Sequence, residues 1–330
     1  MPRQHDFGTC SRRRHERQGR TNPLGALPHA GHPEPAGAAI AVDAAAVVGH
    51  RETEAYADFE MLFDEQDAWQ NYYDFVEQTP FAIPVLRSGV DLQLPSQLSH
   101  VQRIDRGLIV RVDVQQPFSV QGVAQACAER QLENVAFILD CGWRSDGHLL
   151  PFEATCVGLI RTITEVSPEF EFVVGGGDFP ASGFDTKGNN FEIPGEERQL
   201  VAGVRRVLND VEIVFGDWAS TREPSTDNQI RRSRPRLDMP TRQGWECWRS
   251  ATPDGTYAEL AAEIVEDRQL GEMSDLWGEQ LIIATKDGEE PAIKSPTTAA
   301  AVRVNLHMIA QAHFDTGGPE ITDELLVGEL

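Results

Sequence analysis

Residues 108–113 read Leu108-Ile109-Val110-Arg111-Val112-Asp113, and residues 135–140 repeat the pattern as Val135-Ala136-Phe137-Ile138-Leu139-Asp140. Two further runs, Phe172 to Asp178 and Val211 to Asp217, also end in an acid. Each is a short apolar stretch rich in strand-forming residues, and about 25–40 residues separate one from the next. That interval leaves room for a helix, so the pattern predicts buried parallel strands joined by crossover helices. The helices are legible too. Val120, Val123 and Cys127 recur at helical steps after Pro117-Phe118-Ser119; Phe152, Cys156, Leu159, Ile160 and Ile163 trace a second face; Leu200, Val204, Val207 and Leu208 trace a third. Right-handed units of this kind assemble into an open sheet or a barrel. Chemistry in such folds gathers where strands end, which directs attention to Asp113, Asp140, Asp178 and Asp217.

The flanks read differently. Residues 1–50 carry Arg12-Arg13-Arg14 and then Pro23, Pro28, Pro33 and Pro35 among Gly and Ala, with no sustained apolar period. They are expected to be a disordered leader, or a start assigned too far upstream. Trp69, Tyr72, Tyr73, Phe75 and Val76 suggest helical packing, and Phe81 to Leu86 a short strand. Beyond Asp217, Ser220 to Met239 is polar and reads as a long loop. Trp245 to Trp248 is strand-like, Tyr257 to Val265 is an amphipathic helix, Leu281 to Ala284 is another strand candidate, and Thr298 to Phe314 is a helix. The acidic end after Asp315 is expected to fray.

Charge narrows the classes of partner. The 330 residues carry 29 basic and 52 acidic side chains, a net of −23. Residues 1–50 hold six Arg and no Lys against four acids, about +2, so the remainder carries about −25. A body that acidic repels nucleic-acid backbones and anionic membranes, so neither is expected as a partner. The five cysteines (Cys10, Cys127, Cys141, Cys156 and Cys247) form no C-x-x-C pair, which fits a reducing cytoplasm better than a zinc module or a disulfide framework. No stretch approaches the roughly 20 apolar residues of a membrane span. There is no Walker loop, H-E-x-x-H, G-x-S-x-G or dinucleotide fingerprint, which disfavours the enzyme classes those motifs serve.

Several short stretches together resemble a known family. Val173-Val174-Gly175-Gly176-Gly177-Asp178-Phe179-Pro180 is followed by Glu192-Ile193-Pro194, Phe215-Gly216-Asp217, Trp245 to Arg249, Trp277-Gly278 and Asn305-x-His307. Their order and spacing, from about Phe81 to His307, are similar to the phage beta protein family, whose members are uncharacterised. The resemblance implies an α/β fold of the TIM-barrel type with a small α+β C-terminal extension. It implies also that this chain lacks counterparts of the first three strands, so that the barrel is incomplete at its N-terminus. The expected organisation is therefore a leader at 1–50, a partial barrel at 51–218, an extension at 219–314 and an acidic tail at 315–330. A barrel short of three strands exposes two sheet edges unless the leader or a partner covers them.

Candidate chemistry lies at the strand ends. Asp113 and Asp140 could hold Mg²⁺ or Mn²⁺ or divide acid and base roles, although Asp is also common where a strand turns into a helix. Arg111 lies within a strand and needs an anionic partner, for which Asp140 is the nearest. Gly175, Gly176 and Gly177 follow the seventh strand in the family register, where barrels often bind phosphate, but Gly serves any tight turn as well. Asn305 and His307 match family positions; two residues apart on a helix, they cannot share a face, so His307 alone is retained as a candidate base. Trp143, Trp218, Trp245, Trp248 and Trp277 could form a binding wall or simply core. The first functional expectation is a phage-type protein acting in phage–host interaction or defence through a protein partner. The alternative is a metal-assisted hydrolase of a phosphorylated or nucleotide-like small molecule at the strand ends.

Overall fold

A computed structural model describes residues 40–42, 59–88, 92–143, 149–177, 179, 190–220, 234–242, 244–271 and 274–314, with 40–42 and 143 as backbone alone. Expectations for most of the leader, for Asp178 and for the tail at 315–330 lie outside the described residues. In chain order the elements are β1 (Ile40–Val42), α1 (Gln70–Gln78), β2 (Ala82–Pro84), α2 (Leu94–Ile104), β3 (Leu108–Asp113) and α3 (Val120–Glu129). Then come β4 (Val135–Trp143), α4 (Leu149–Thr164), β5 (Glu171–Gly177), β6 (Asn190–Pro194), α5 (Glu197–Val207) and β7 (Ile213–Asp217). The C-terminal part holds β8 (Arg236–Thr241), β9 (Gly244–Arg249), α6 (Tyr257–Asp267), α7 (Trp277–Asp287) and α8 (Pro296–Ala312). β1 falls inside the stretch read as leader.

The four apolar runs form one parallel sheet in the order β3-β4-β5-β7. β1 and β2 pair in parallel beside it, and a bridge from Val85 to Ile109 joins that pair to β3, with Leu86 N–H donating to Ile109 C=O at 2.8 Å. Alternation along each strand sends Leu108, Val110 and Val112, then Phe137 and Leu139, then Phe172 and Val174, into a core shared with α1 to α5. Fully burying one such side chain contributes about 1.5–3 kcal/mol, so this face supplies most of the sheet's stability. The strands follow one another across the sheet as in a barrel, but among the described residues the sheet does not close. The expected TIM-type barrel is thus observed only as a mixed α/β arrangement, a four-stranded parallel sheet flanked by helices.

The remaining strands form an antiparallel sheet, β6-β9-β8. β6, which the sequence reading missed, is an excursion between β5 and α5 that captures the β8–β9 hairpin. A second core of Leu237, Met239, Leu260, Ile264, Ile282, Val302 and Leu306 joins the hairpin to α6, α7 and α8. Two expectations are corrected here. Leu281 to Ala284 is helical, within α7, because Leu281, Ile282 and Thr285 are buried at helical steps; a short apolar run carries no period of its own. Arg236 to Met239, expected as loop, is strand β8, whose polar residues face inward as ion-pair partners. Side-chain caps open two of the helices: the capping box Thr256/Glu259 opens α6, and Ser295 with Pro296 opens α8, two residues before the start expected at Thr298.

Candidate functional site

The register of the parallel sheet arranges its second face in rows. Ile109, Ala136 and Glu171 form the lower row; Arg111, Ile138, Val173 and Val214 the middle; Asp113, Asp140, Gly175 and Gly216 the upper. A cavity of about 280 Å³ opens over the middle and upper rows, floored by Val85, Ile109, Ile138 and Val173 and rimmed by Arg111, Asp140, Asp217 and Trp218. Its depth comes from the two glycines, which add no side chain to the row. Gly175 has a packing reason as well: a Cβ there would sit 2.0 Å from the carbonyl oxygen of Gly216.

Asp140 is the centre of the rim. Its Oδ2 accepts from Arg111 Nε at 2.9 Å and Nη2 at 2.7 Å, and its Oδ1 accepts from Gly142 N at 2.8 Å and Trp218 Nε1 at 3.2 Å. Gly142 takes φ +62° where the β4–β5 register shifts, a left-handed position that turns its N–H back onto the carboxylate. The Arg111 guanidinium lies 4.5 Å from the centre of the Trp218 ring, so its charge is held by a carboxylate and by an aromatic face. The two lone-pair sites of each Asp140 oxygen are thereby directed at protein donors.

The other predicted residues are dispersed around this centre. Asp113 is exposed and its Oδ1 accepts from Gln115 N at 2.8 Å, the local turn that strand-end aspartates favour. Gly175, Gly176 and Gly177 lie within β5 and are paired to β4 or β7, so they extend the strand rather than forming a turn after it. Among the described residues there is no cluster of three or more His, Cys, Asp or Glu placed to hold a metal ion. His307 and Asn305 do serve separate places: Asn305 Oδ1 accepts from Gly278 N at 3.1 Å, while His307 Nε2 lies 2.9 Å from Asp217 Oδ2.

The His307–Asp217 contact ties α8 of the extension to the end of β7. The imidazole stacks on Trp245 of β9 at 4.8 Å between ring centres, and Phe179 meets Trp245 edge-on at 5.0 Å. Burial by itself would raise the Asp217 carboxyl, but the hydrogen bond and charge of His307, the N–H of Ala219 and the charge of Arg198 hold it below its ordinary value. An ionised carboxylate only accepts, so His307 Nε2 carries the proton in this bond. A carboxylate with a depressed folded-state value stabilises the fold above the ordinary range near pH 4, and that contribution is lost as pH falls toward the depressed value. Urea unfolding followed from pH 6 to pH 3 is therefore expected to show an acid loss of stability that is shallower in Asp217→Asn. Equal slopes in the two proteins would refute this assignment.

Sequence reasoning missed Trp218 as the lid of Asp140 and missed the role of Trp245 against His307. Both tryptophans were visible as candidates for a wall, but which residue each would meet is set by tertiary packing, Trp218 following β7 and Trp245 lying on β9. The Trp143 side chain lies outside the described residues, Trp248 is buried, and Trp277 at the start of α7 is 41% exposed. No helix among the described residues is long and apolar enough to cross a membrane.

Comparison with known proteins agrees with the order of motifs along the chain. The chain is 25% identical over 263 residues to Protein beta of Enterobacteria phage P4, an alignment covering 77% of this chain and 72% of that protein. No solved structure matches it. The family model described as Beta protein matches residues 26–313, which is most of the chain. This protein belongs to the Beta protein family.

Proposed function

We propose that this member of the Beta protein family acts in phage–host interaction or defence by binding a protein partner, and not as a metal-assisted hydrolase. The observation that carries the reading is the engagement of Asp140, whose two oxygens accept from Arg111, Gly142 and Trp218. A metal ion would have to displace the Arg111 guanidinium, which already supplies the counter-charge. Asp113 is turned to Gln115, and Asp217 is held by His307. Asp113, Asp140 and Asp217 are thus each engaged by donors of the fold. The second face of the sheet is meanwhile open, with Val214 51% exposed beside half-buried Val173 and Ile138. In this reading residues 51–218, with β1, form a barrel-like sheet that does not close among the described residues, and residues 219–314 form an extension that buttresses it. The phage relative supplies the biological setting.

Two measurements test the reading. Thermal melting is expected to be indifferent to millimolar Mg²⁺ or Mn²⁺, in the wild type and in Asp113→Asn alike; a metal-dependent rise lost in Asp113→Asn would restore the hydrolase. Cross-linking in phage-infected cells is expected to capture a discrete partner with the wild type and not with Val214→Glu, and capture unaltered by that charge would refute the face as the binding surface.

A further inference from the structure

We infer that the segment received on the open sheet face is cationic and amphipathic, seating an apolar side chain on Ile138, Val173 and Val214 and a Lys or Arg side chain against Glu171 and Glu212. This rests on the protein-partner reading above and specifies the partner's chemistry. The register sets Val173 beside Val214, and Glu171 lies two residues before Val173 on the same side of β5. Glu212 stands in the same relation to Val214, just ahead of β7, and both glutamates are exposed. Two residues of strand span about 7 Å, so one extended partner segment can place an apolar side chain on the valines and a cation on the glutamates.

The charge of the face selects the sign of the partner. The cation of the middle row, Arg111, lies across the sheet and is ion-paired to Asp140, so the β5–β7 side of the face presents Glu171 and Glu212. The chain's net charge of −23 adds a long-range attraction for a basic protein and repels a second copy of itself. The seat is the face rather than the β7 edge, because Arg205 on α5 donates from Nε and Nη2 to the Ile213 carbonyl at 3.0 and 2.7 Å. A strand added there would have to displace that guanidinium.

Fluorescence anisotropy on the full-length chain, at low and at physiological salt, tests the inference with two labelled heptapeptides, Ser-Lys-Ser-Val-Ser-Lys-Ser (Lys–Val) and Ser-Glu-Ser-Val-Ser-Glu-Ser (Glu–Val), in which the charged and apolar side chains stand two residues apart and so share one face of the strand. The Lys–Val peptide is expected to bind and the Glu–Val peptide not to. Glu171→Gln/Glu212→Gln and, separately, Val214→Ser are each expected to weaken the Lys–Val peptide at least fivefold without changing the melting curve. Undiminished binding by both variants would overturn the inference, showing attraction to the acidic body at large. Absence of Lys–Val binding, together with cross-linked capture that is lost in Val214→Glu but kept in Glu171→Gln/Glu212→Gln, would overturn the cationic partner while leaving the protein-partner reading intact. Capture indifferent to Val214→Glu would remove both.

Discussion

Replacing Asp238 with alanine is expected to lower the free energy of unfolding by about 3–5 kcal/mol, the usual cost of stranding a buried ionic partner. Asp238 Oδ1 lies 2.9 Å from Arg236 Nε and its Oδ2 lies 3.2 Å from Arg303 Nη1, and the side chains of both arginines are at least nine-tenths buried. Arg303 is already under stress. Desolvation lowers its value, and the charge of Arg236 adds to that, while Asp238 opposes both. The guanidinium groups of Arg303 and Arg236 lie 4.3 and 5.5 Å from the Phe179 ring centre, but an aromatic face cannot replace a carboxylate. The same carboxylate, after burial, pushes the Cys247 thiol up, which keeps that cysteine neutral and unreactive in the core. Because Arg303 belongs to α8 and Asp238 to β8, the damage should centre on the extension. Urea denaturation of Asp238→Ala beside Asp238→Asn reads the effect, and a loss under 1 kcal/mol in both would show that the arginines find other compensation.

The second large effect concerns the Arg111–Asp140 pair. Arg111→Met is expected to cost about 3 kcal/mol, because it strips the counter-charge from Asp140, whose side chain is 10% exposed. Arg111→Met/Asp140→Leu should recover most of that loss, since apolar residues on the floor beside Ile138 and Val173 need no counter-charge. The comparison of single and double variants isolates the pair, with a coupling of about 1–3 kcal/mol as the expected result for groups in contact. Additive losses would mean that Trp218 and Gly142, not Arg111, carry the stabilisation of Asp140. If the pair is structural in this way, the double variant should also still bind a partner at Val214.

The parallel strands were legible in the sequence because they are buried on one face and half-buried on the other. β3 and β7 end where the apolar runs at Asp113 and Asp217 end, and α3 begins directly after Pro117-Phe118-Ser119, as read. Arg111 could be matched to Asp140 in advance, since two parallel strands in register place them within reach. β8 resisted reading for the opposite reason. One of its two buried faces carries Arg236 and Asp238, charges that look like loop until Arg303 arrives from a helix about 65 residues away.

By its own periodicity, then, the sequence determined the parallel α/β arrangement, the acidic surface and the succession of motifs that marks the family. These are local properties, set by the two- and 3.6-residue periods of strand and helix and by the side chains themselves. What only the tertiary structure decided is the use of the acids. Trp218 came to cover the Arg111–Asp140 pair, Asp217 became the anchor of His307, and Asp113 a turn. The first two outcomes depend on long-range packing, the residue after β7 reaching Asp140 of β4 and α8 crossing to the end of β7, whereas the Asp113 turn closes locally on Gln115. A carboxylate's role is fixed by the donors folding brings to it, and Arg111 and Trp218 reach Asp140, and His307 reaches Asp217, from 29, 78 and 90 residues away.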